Sequence, residues 1–347
     1  MSPLKDNFFR VIDYLRLSIT DRCNLRCVYC MPAEGVEHAR HKDILSYEEI
    51  VRVVKIAAGL GVRKVRITGG EPLTRKNIAF LVSELKKISG IEDISMTTNG
   101  VLLGERAEEL AAAGLDRVNV SIDSFKPDVY GNITRGGSLD KVKHGLYEAV
   151  KAGLEPVKIN MVPIRGINDD EIMDFAALTL HSSYHVRFIE FMPSGTGDLW
   201  SPDKYIPVDE IRKTIEAIAP LSPVRARRNG PSKYFRLKDA KGVVGFISAV
   251  THHFCGDCNR LRLTSDGKLR PCLFSETEID LRSAMRNGAP DAEIERLLRL
   301  AVSVKPRGHN IGRQNPEADA LGALPVTDFP ALLSGKPGKR PMSRIGG

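Results

Sequence analysis

Aromatic residues are scarce, at 6% of a 347-residue chain with a single tryptophan. Proteins that grip nucleic acid by stacking bases need more such platforms, so this composition argues against that ligand. Long apolar runs are missing too. No stretch approaches the ~20 apolar residues of a membrane-spanning helix. Lys5, Asp6, Arg10, Asp13 and Arg16 interrupt the beginning of the chain, where a secretory signal would carry an unbroken apolar core. Six cysteines are too few for a disulfide scaffold, which points to a reducing cytoplasm and to thiols used as metal ligands or catalysts. Hydrophobic residues at 42% and charged residues at 27% exclude wholesale disorder. The length suits one large domain or two ordinary ones. Lys plus Arg at 51 against Asp plus Glu at 43 leaves a net charge of +8, which favours an anionic partner: nucleic acid, a phosphorylated small molecule or a membrane surface.

What is present is an alternation of β-branched runs and helical patterns, the signature of parallel βα units. Strands are predicted at Leu15–Ile19, Val65–Thr68, Ile94–Thr97, Val118–Ile122, Val157–Met161 and Val186–Phe191. Ser46 and Glu49 form a capping box ahead of Ile50, Val53, Val54 and Ala57 at helical spacing. Gly61, Gly90, Gly114 and Gly153 fall where helices end. Six such strands are too few to close an eight-stranded barrel, so the predicted fold is α/β with an open, partial TIM-type barrel. After Pro220 the alternation fades. Short strands are predicted around Tyr234–Leu237 and Val243–Ala249, and Leu261–Thr264 and Lys268–Phe274 flank a Ser265-Asp266-Gly267 hairpin turn. The segment from Gly335, rich in Lys, Arg, Pro and Gly, offers no secondary-structure pattern.

Unusual residues follow each strand: Asp21-Arg22-Cys23, Gly69-Gly70-Glu71-Pro72, Thr97-Thr98-Asn99-Gly100, Ser121-Ile122-Asp123-Ser124, Asn160, and Glu190 with Met192. In barrel-type folds the C-terminal strand ends build the active site.

Cys23, Cys27 and Cys30 form a C-x3-C-x2-C triad within eight residues. Structural zinc wants four ligands, and His38 and His41 lie far along the chain for a fourth. A [4Fe–4S] cubane takes one cysteine per iron, so three leave one iron open to a ligand from outside the protein. Cys255, Cys258 and Cys272 form a second triad, C-x2-C-x13-C, in which the hairpin returns Cys272 to a place opposite about Leu261. Here zinc completed by His252 or His253 competes evenly on spacing alone.

CNLRCVYC after the first strand and GGEP after the second resemble the radical S-adenosylmethionine superfamily. FCGDCNRLRLTSDGKLRPCLF and the ending MSRIGG narrow the resemblance, over residues 9–347, to the GTP 3′,8-cyclases of molybdenum cofactor biosynthesis. The resemblance implies two [4Fe–4S] clusters, on Cys23, Cys27 and Cys30 and on Cys255, Cys258 and Cys272. It implies S-adenosylmethionine contacts at Tyr29, Gly70, Ser121 and Met192, and GTP contacts at Arg16, Arg66, Thr97, Lys158, Arg260, Arg262 and the backbone of Leu261. Arg16, Arg260, Arg262, Gly346 and Gly347 are the implied catalytic set. In this reading a 5′-deoxyadenosyl radical takes the 3′ hydrogen of GTP, and the ribose carbon then attacks C8 to give (8S)-3′,8-cyclo-7,8-dihydroguanosine 5′-triphosphate. The implied organisation is a barrel over residues 1–220, a cluster-bearing region over 221–334 that covers its opening, and a tail over 335–347 whose Gly-Gly end enters the site. An electron donor, a downstream cyclic pyranopterin monophosphate synthase and a homodimer are the partners this allows, without nucleic acid or membrane. The alternatives are a peptide-modifying radical enzyme with an auxiliary cluster and a zinc-stabilised nucleic-acid binder.

Overall fold

The computed structural model describes residues 2–193, 199–224, 230–309 and 342–345. Its first two thirds run β1 (Tyr14–Ser18), α1 (Tyr47–Gly59), β2 (Lys64–Thr68), α2 (Ile78–Lys86), β3 (Asp93–Thr98), α3 (Ala107–Ala112), β4 (Arg117–Ser121), α4 (Pro127–Thr134), α5 (Leu139–Lys151), β5 (Lys158–Met161), α6 (Ile172–His181) and β6 (His185–Ile189). Then come α7 (Val208–Glu216), β7 (Leu221–Val224), β8 (Lys233–Leu237), β9 (Val243–Ile247), β10 (Arg260–Leu263), β11 (Lys268–Arg270), β12 (Ile279–Asp280), α8 (Leu281–Arg286), α9 (Asp291–Ser303) and α10 (Met342–Ile345). The six predicted strands all form, each within two residues of its expected ends. The Ser46–Glu49 capping box opens α1 with both reciprocal hydrogen bonds made. All four glycines proposed as helix stops have positive φ, as at Gly114 with 99°.

One sheet of twelve strands holds these elements in the order β12-β11-β10-β1-β2-β3-β4-β5-β6-β9-β8-β7. The six βα strands pair in parallel and in sequence, as expected of a partial barrel. The later strands extend both edges of this array. β10 lies parallel to β1, with Arg262 beside Arg16, and β9 lies parallel to β6. Eight strands are therefore parallel, yet the sheet stays open. β10 turns back antiparallel into β11, and β9 carries antiparallel β8, so neither edge is left to meet the other. β7 was not predicted. It contains Pro223 and occupies the outermost position on its side, the one place a sheet accepts proline. Helices α8 and α9 were also not predicted, and α9 packs on α1. Met342–Ile345 makes a single helical turn in a region whose sequence shows no such pattern, with Ile345 buried.

The two faces of the strands differ sharply. Leu15, Leu17, Val65, Ile67, Ile94, Met96, Val118 and Val120 are buried in the apolar layer shared with the helices. The alternate positions Arg16, Arg66, Thr97, Arg117, Ser121, Lys158 and Arg187 line an interior cavity. A closed barrel fills its interior with branched apolar side chains, whereas this one is lined with charge. The stability of the fold thus rests on the outer layer. Ile67, fully buried there, is expected to cost about 2–5 kcal/mol on Ile67→Ala, read from urea unfolding of the apoprotein.

Candidate active site

The first cysteine loop hangs between β1 and the end of α4. Val28 N–H donates to the Ile133 carbonyl at 2.9 Å, and Arg26 N–H to that of Thr134 at 3.1 Å. Arg135, left-handed at the helix end, donates to the carbonyls of Arg26 (3.0 Å) and Met31 (2.9 Å). From the other side, Gly70 N–H donates to Thr20 (2.7 Å) and Glu71 N–H to Arg22 (2.7 Å). A Cβ on Gly70 would stand 2.2 Å from the Arg22 carbonyl oxygen, so the residue must be glycine for the chain's own backbone to fit.

Glu71 is buried and takes the Thr98 hydroxyl and the Asn99 N–H, each at 2.7 Å. Burial pushes its carboxyl up to about 7. Burial also pushes the Cys23 thiol up to about 12, with Glu71 adding to the effect. The Tyr29 hydroxyl donates to Asp123, which also accepts Val162 N–H at 2.9 Å. Burial raises Asp123 to about 6. Cys23 and Cys27 therefore resist ionisation in this setting, and a bound metal would favour their deprotonation.

The second triad has the opposite surroundings. Arg262 pairs with Arg270 across the hairpin, and continuing that register sets Cys272 opposite Arg260, one residue from the predicted place. The Arg260 guanidinium lies 3.7 Å from Cys258 Sγ. Burial opposes ionisation of Cys258, but Arg260 and Lys305 overcome it and bring the thiol down to about 6. His252 turns to Asp209 (3.0 Å), while the ligand atoms of His253, Cys255 and His309 gather within 4.8 Å of one another. Each triad supplies three thiols, one short of a closed structural zinc site, and a cubane that takes one thiolate per iron leaves its fourth iron open.

Between the triads runs a cavity of about 1040 Å³ lined by all six cysteines. Arg262, Arg16 and Arg66 stand in register on β10, β1 and β2 and line it together. Burial and the neighbouring guanidiniums hold Arg16 well below its ordinary value, and burial with Arg260 brings Arg262 to about 10. Lys158 falls to about 6 through burial and then Arg187, Arg117 and Arg66. The buried Thr97 Oγ1 and Asn160 Oδ1 have no hydrogen-bond partner among the described residues. Such a set answers to a polyanion with hydrogen-bonding edges.

The matches to known families follow this layout. The Radical SAM superfamily profile matches residues 17–179, and the Molybdenum Cofactor Synthesis C profile matches residues 184–311. A GTP 3′,8-cyclase of Thermodesulfovibrio yellowstonii is 53% identical over 307 residues, covering 88% of this chain and 95% of that protein. One of Pelotomaculum thermopropionicum is 48% identical across 99% of this chain and 100% of its own length. The chain belongs to the GTP 3′,8-cyclase family. The fold also matches Streptococcus suis SuiB bound to S-adenosylmethionine, with a TM-score of 0.57 at 16% identity, over 85% of this chain and 68% of that one. Membership in the cyclase family sets aside both the peptide-modifying and the nucleic-acid-binding alternatives. The family's cofactors are two [4Fe–4S] clusters and S-adenosylmethionine. No described helix is long and apolar enough to cross a membrane.

Of the residues named from the cyclase resemblance, Arg16, Tyr29, Arg66, Gly70, Thr97, Ser121, Lys158, Met192, Arg260 and Arg262 all line the cavity with the six cysteines. The Leu261 side chain turns the other way, into the core, and Leu261 is not among the residues that line the cavity. Gly346 and Gly347 lie outside the described residues, while Met342 and Ser343 line the cavity. Sequence reasoning missed Arg117, His185, Arg187 and Lys305. The signal for Arg187 was available, since it alternates with the buried Val186 and Phe188 as Arg16 does with Leu15 and Leu17. Gly70→Ala is expected to cost the first triad its roughly four irons while the second keeps its own. Iron analysis of anaerobically purified protein checks this, and full iron content in the variant would show that the loop tolerates the clash.

Proposed function

We propose that this cyclase converts GTP to 3′,8-cyclo-7,8-dihydroguanosine 5′-triphosphate, the opening step of molybdenum cofactor biosynthesis, in the cavity between its two thiol triads. The observation that carries the reading is the row of buried guanidiniums between the triads, a polyanion site with a metal centre at either end. Cys23, Cys27 and Cys30 hold the first cluster, and Cys255, Cys258 and Cys272 the second. Bound with S-adenosylmethionine, the first cluster supplies an electron that releases a hydrogen-abstracting 5′-deoxyadenosyl radical. Everything else is positioning by this chain.

Tyr29, Gly70, Ser121 and Met192 seat the adenosylmethionine. Asp123 fixes the Tyr29 ring, which also meets Phe191 edge-on at 6.5 Å. Arg16, Arg66, Lys158, Arg260 and Arg262 grip the triphosphate, and Thr97 and the Leu261 backbone offer hydrogen bonds. The base lies toward the second triad, leaving the ribose between the two. The product would pass to a cyclic pyranopterin monophosphate synthase. The reading also takes in an electron donor, a cytoplasmic setting and a homodimer.

Lys158 gives the reading a proton signature. With its ammonium depressed to about 6, it is mostly neutral in the free site near neutral pH. A triphosphate favours the charged form and raises that value, so binding takes up a proton. GTP affinity should therefore weaken from about pH 7 to about pH 9, with proton uptake in titration calorimetry across buffers of different ionisation heat. Lys158→Met should abolish the uptake. Equal uptake in the variant would remove Lys158 from the site.

The turn at Met342–Ile345 supports a working chain end, since Ser343 and Ile345 are buried and Met342 and Ser343 reach the cavity. Deleting Gly346 and Gly347 should leave adenosylmethionine cleavage intact while the cyclised triphosphate, followed by mass spectrometry, is lost. Wild-type product formation by the truncated enzyme would make the tail dispensable. If the full-length enzyme with both clusters makes no cyclised product from GTP, the proposed activity fails.

A further inference from the structure

Two cations outside the GTP-binding set converge on the second triad from opposite ends of the sequence. Arg10 is buried and held by Asp6, its Nε 2.5 Å from the carboxylate. The Asp6 carboxylate is itself fixed by the backbone N–H groups of Phe8 and Arg10, each at 2.9 Å. From that anchor Arg10 donates to the Cys255 carbonyl at 2.6 Å, and to those of Pro306 and Arg307 at 2.7 and 3.0 Å. Just upstream, Lys305 is 4% exposed. Its ammonium donates to the Arg260 carbonyl at 2.8 Å and to the Pro271 carbonyl at 2.6 Å. Pro271 directly precedes Cys272, and Arg260 stands two residues beyond Cys258. The backbone at or beside each of the three cysteines is thus tied by one of these two cations.

Their charges are not equivalent. Arg10 is neutralised by its bond to Asp6. Lys305 has no carboxylate partner among the described residues, lines the cavity, and interacts attractively with the Cys258 and Cys272 sulfurs. Burying an ammonium with only carbonyl partners is unfavourable unless a negative charge answers it. A [4Fe–4S] centre on three thiolates carries net negative charge, and each added electron deepens it.

We propose that Lys305 is a positioning and charge-compensating residue of the second cluster, holding the loops of Cys258 and Cys272 in place and favouring the cluster's reduced state, with Arg10 as its mechanical counterpart at Cys255. The proposal rests on the assignment of a cluster to the second triad.

The parent for the test is the full chain carrying Cys23→Ala, Cys27→Ala and Cys30→Ala, reconstituted anaerobically with ferrous iron and sulfide so that only the second cluster is present. Its readouts are iron retained against a chelator and the midpoint potential from an EPR-monitored titration. Lys305→Met should release iron faster and shift the midpoint to more negative potential. The pair Asp6→Asn with Arg10→Gln should release iron faster with little shift, because it removes the tether and its balancing carboxylate together. Parent-like retention and potential in Lys305→Met overturn the proposal, and faster release without a shift refutes its electrostatic part. Should Lys305→Met fail to fold, as judged by the thermal melt of the apoprotein, Lys305→Arg decides. A parent-like potential with poorer iron retention supports the proposal, and a shifted potential in a variant that keeps the charge overturns it. If the parent takes up no iron, the cluster assignment has failed and the proposal falls with it, an outcome distinct from parent-like behaviour of a loaded variant.

Discussion

Arg262, Arg16 and Arg66 occupy adjacent strands at one level of the sheet and turn into the same cavity. Three guanidiniums cannot be packed against one another without a counter-charge or water between them. The interior therefore cannot collapse into the apolar filling that stabilises a closed barrel, and the strands must be held apart around a solvated space. The open sheet, the antiparallel returns at both edges and the apolar layer confined to the outside are mutually consistent answers to that requirement. The same repulsion prepares the cavity for a ligand carrying several negative charges, because binding relieves a cost already present in the free protein.

Cys23 and Cys258 sit in opposite electrostatic surroundings within this one cavity. Cys23 has Glu71 nearby, and Asp123 acts on Cys27, so extra electron density at the first triad is disfavoured. Cys258 has Arg260 and Lys305, which favour it.

Much of this architecture is legible in the sequence because its signals are local. The βα strands, the capping box, the helix-ending glycines and the Asp266-Gly267 hairpin each follow from a few neighbouring residues. Both triads are visible because a metal centre imposes short spacings on its ligands. What stays hidden is non-local. Nothing in the alternating segment Leu261–Leu263 says that it will lie parallel to Leu15–Leu17, and nothing in Val243–Ile247 assigns it to the edge of β6. Arg10 and Lys305 look like ordinary surface charges in sequence, since the backbone carbonyls they bind lie 245 to 297 residues away for Arg10 and 34 and 45 residues away for Lys305. The crowding at Gly70 is equally hidden, because it comes from the backbone of Arg22, far along the chain. Pro223 hid β7, and the absence of an obvious cap hid α9, which begins after Pro290 with no side-chain hydrogen bond.

The pairing of β1 with β10 also sets an order of assembly. A ribosome makes Tyr14–Ser18 long before Arg260–Leu263, so one edge of β1 has no strand partner for most of synthesis. Unpaired parallel edges are where nascent chains associate wrongly. The first cysteine loop lies directly after β1, and its anchors at Gly70, Glu71 and Arg135 are all made early. The second triad needs Arg10 from the beginning and Lys305 from near the end. One metal site can therefore take shape while the chain is still emerging, whereas the other must wait until almost all of it has been translated. A stalled or truncated chain would leave the ribosome with its first thiol loop in place and the flank of β1 still uncovered.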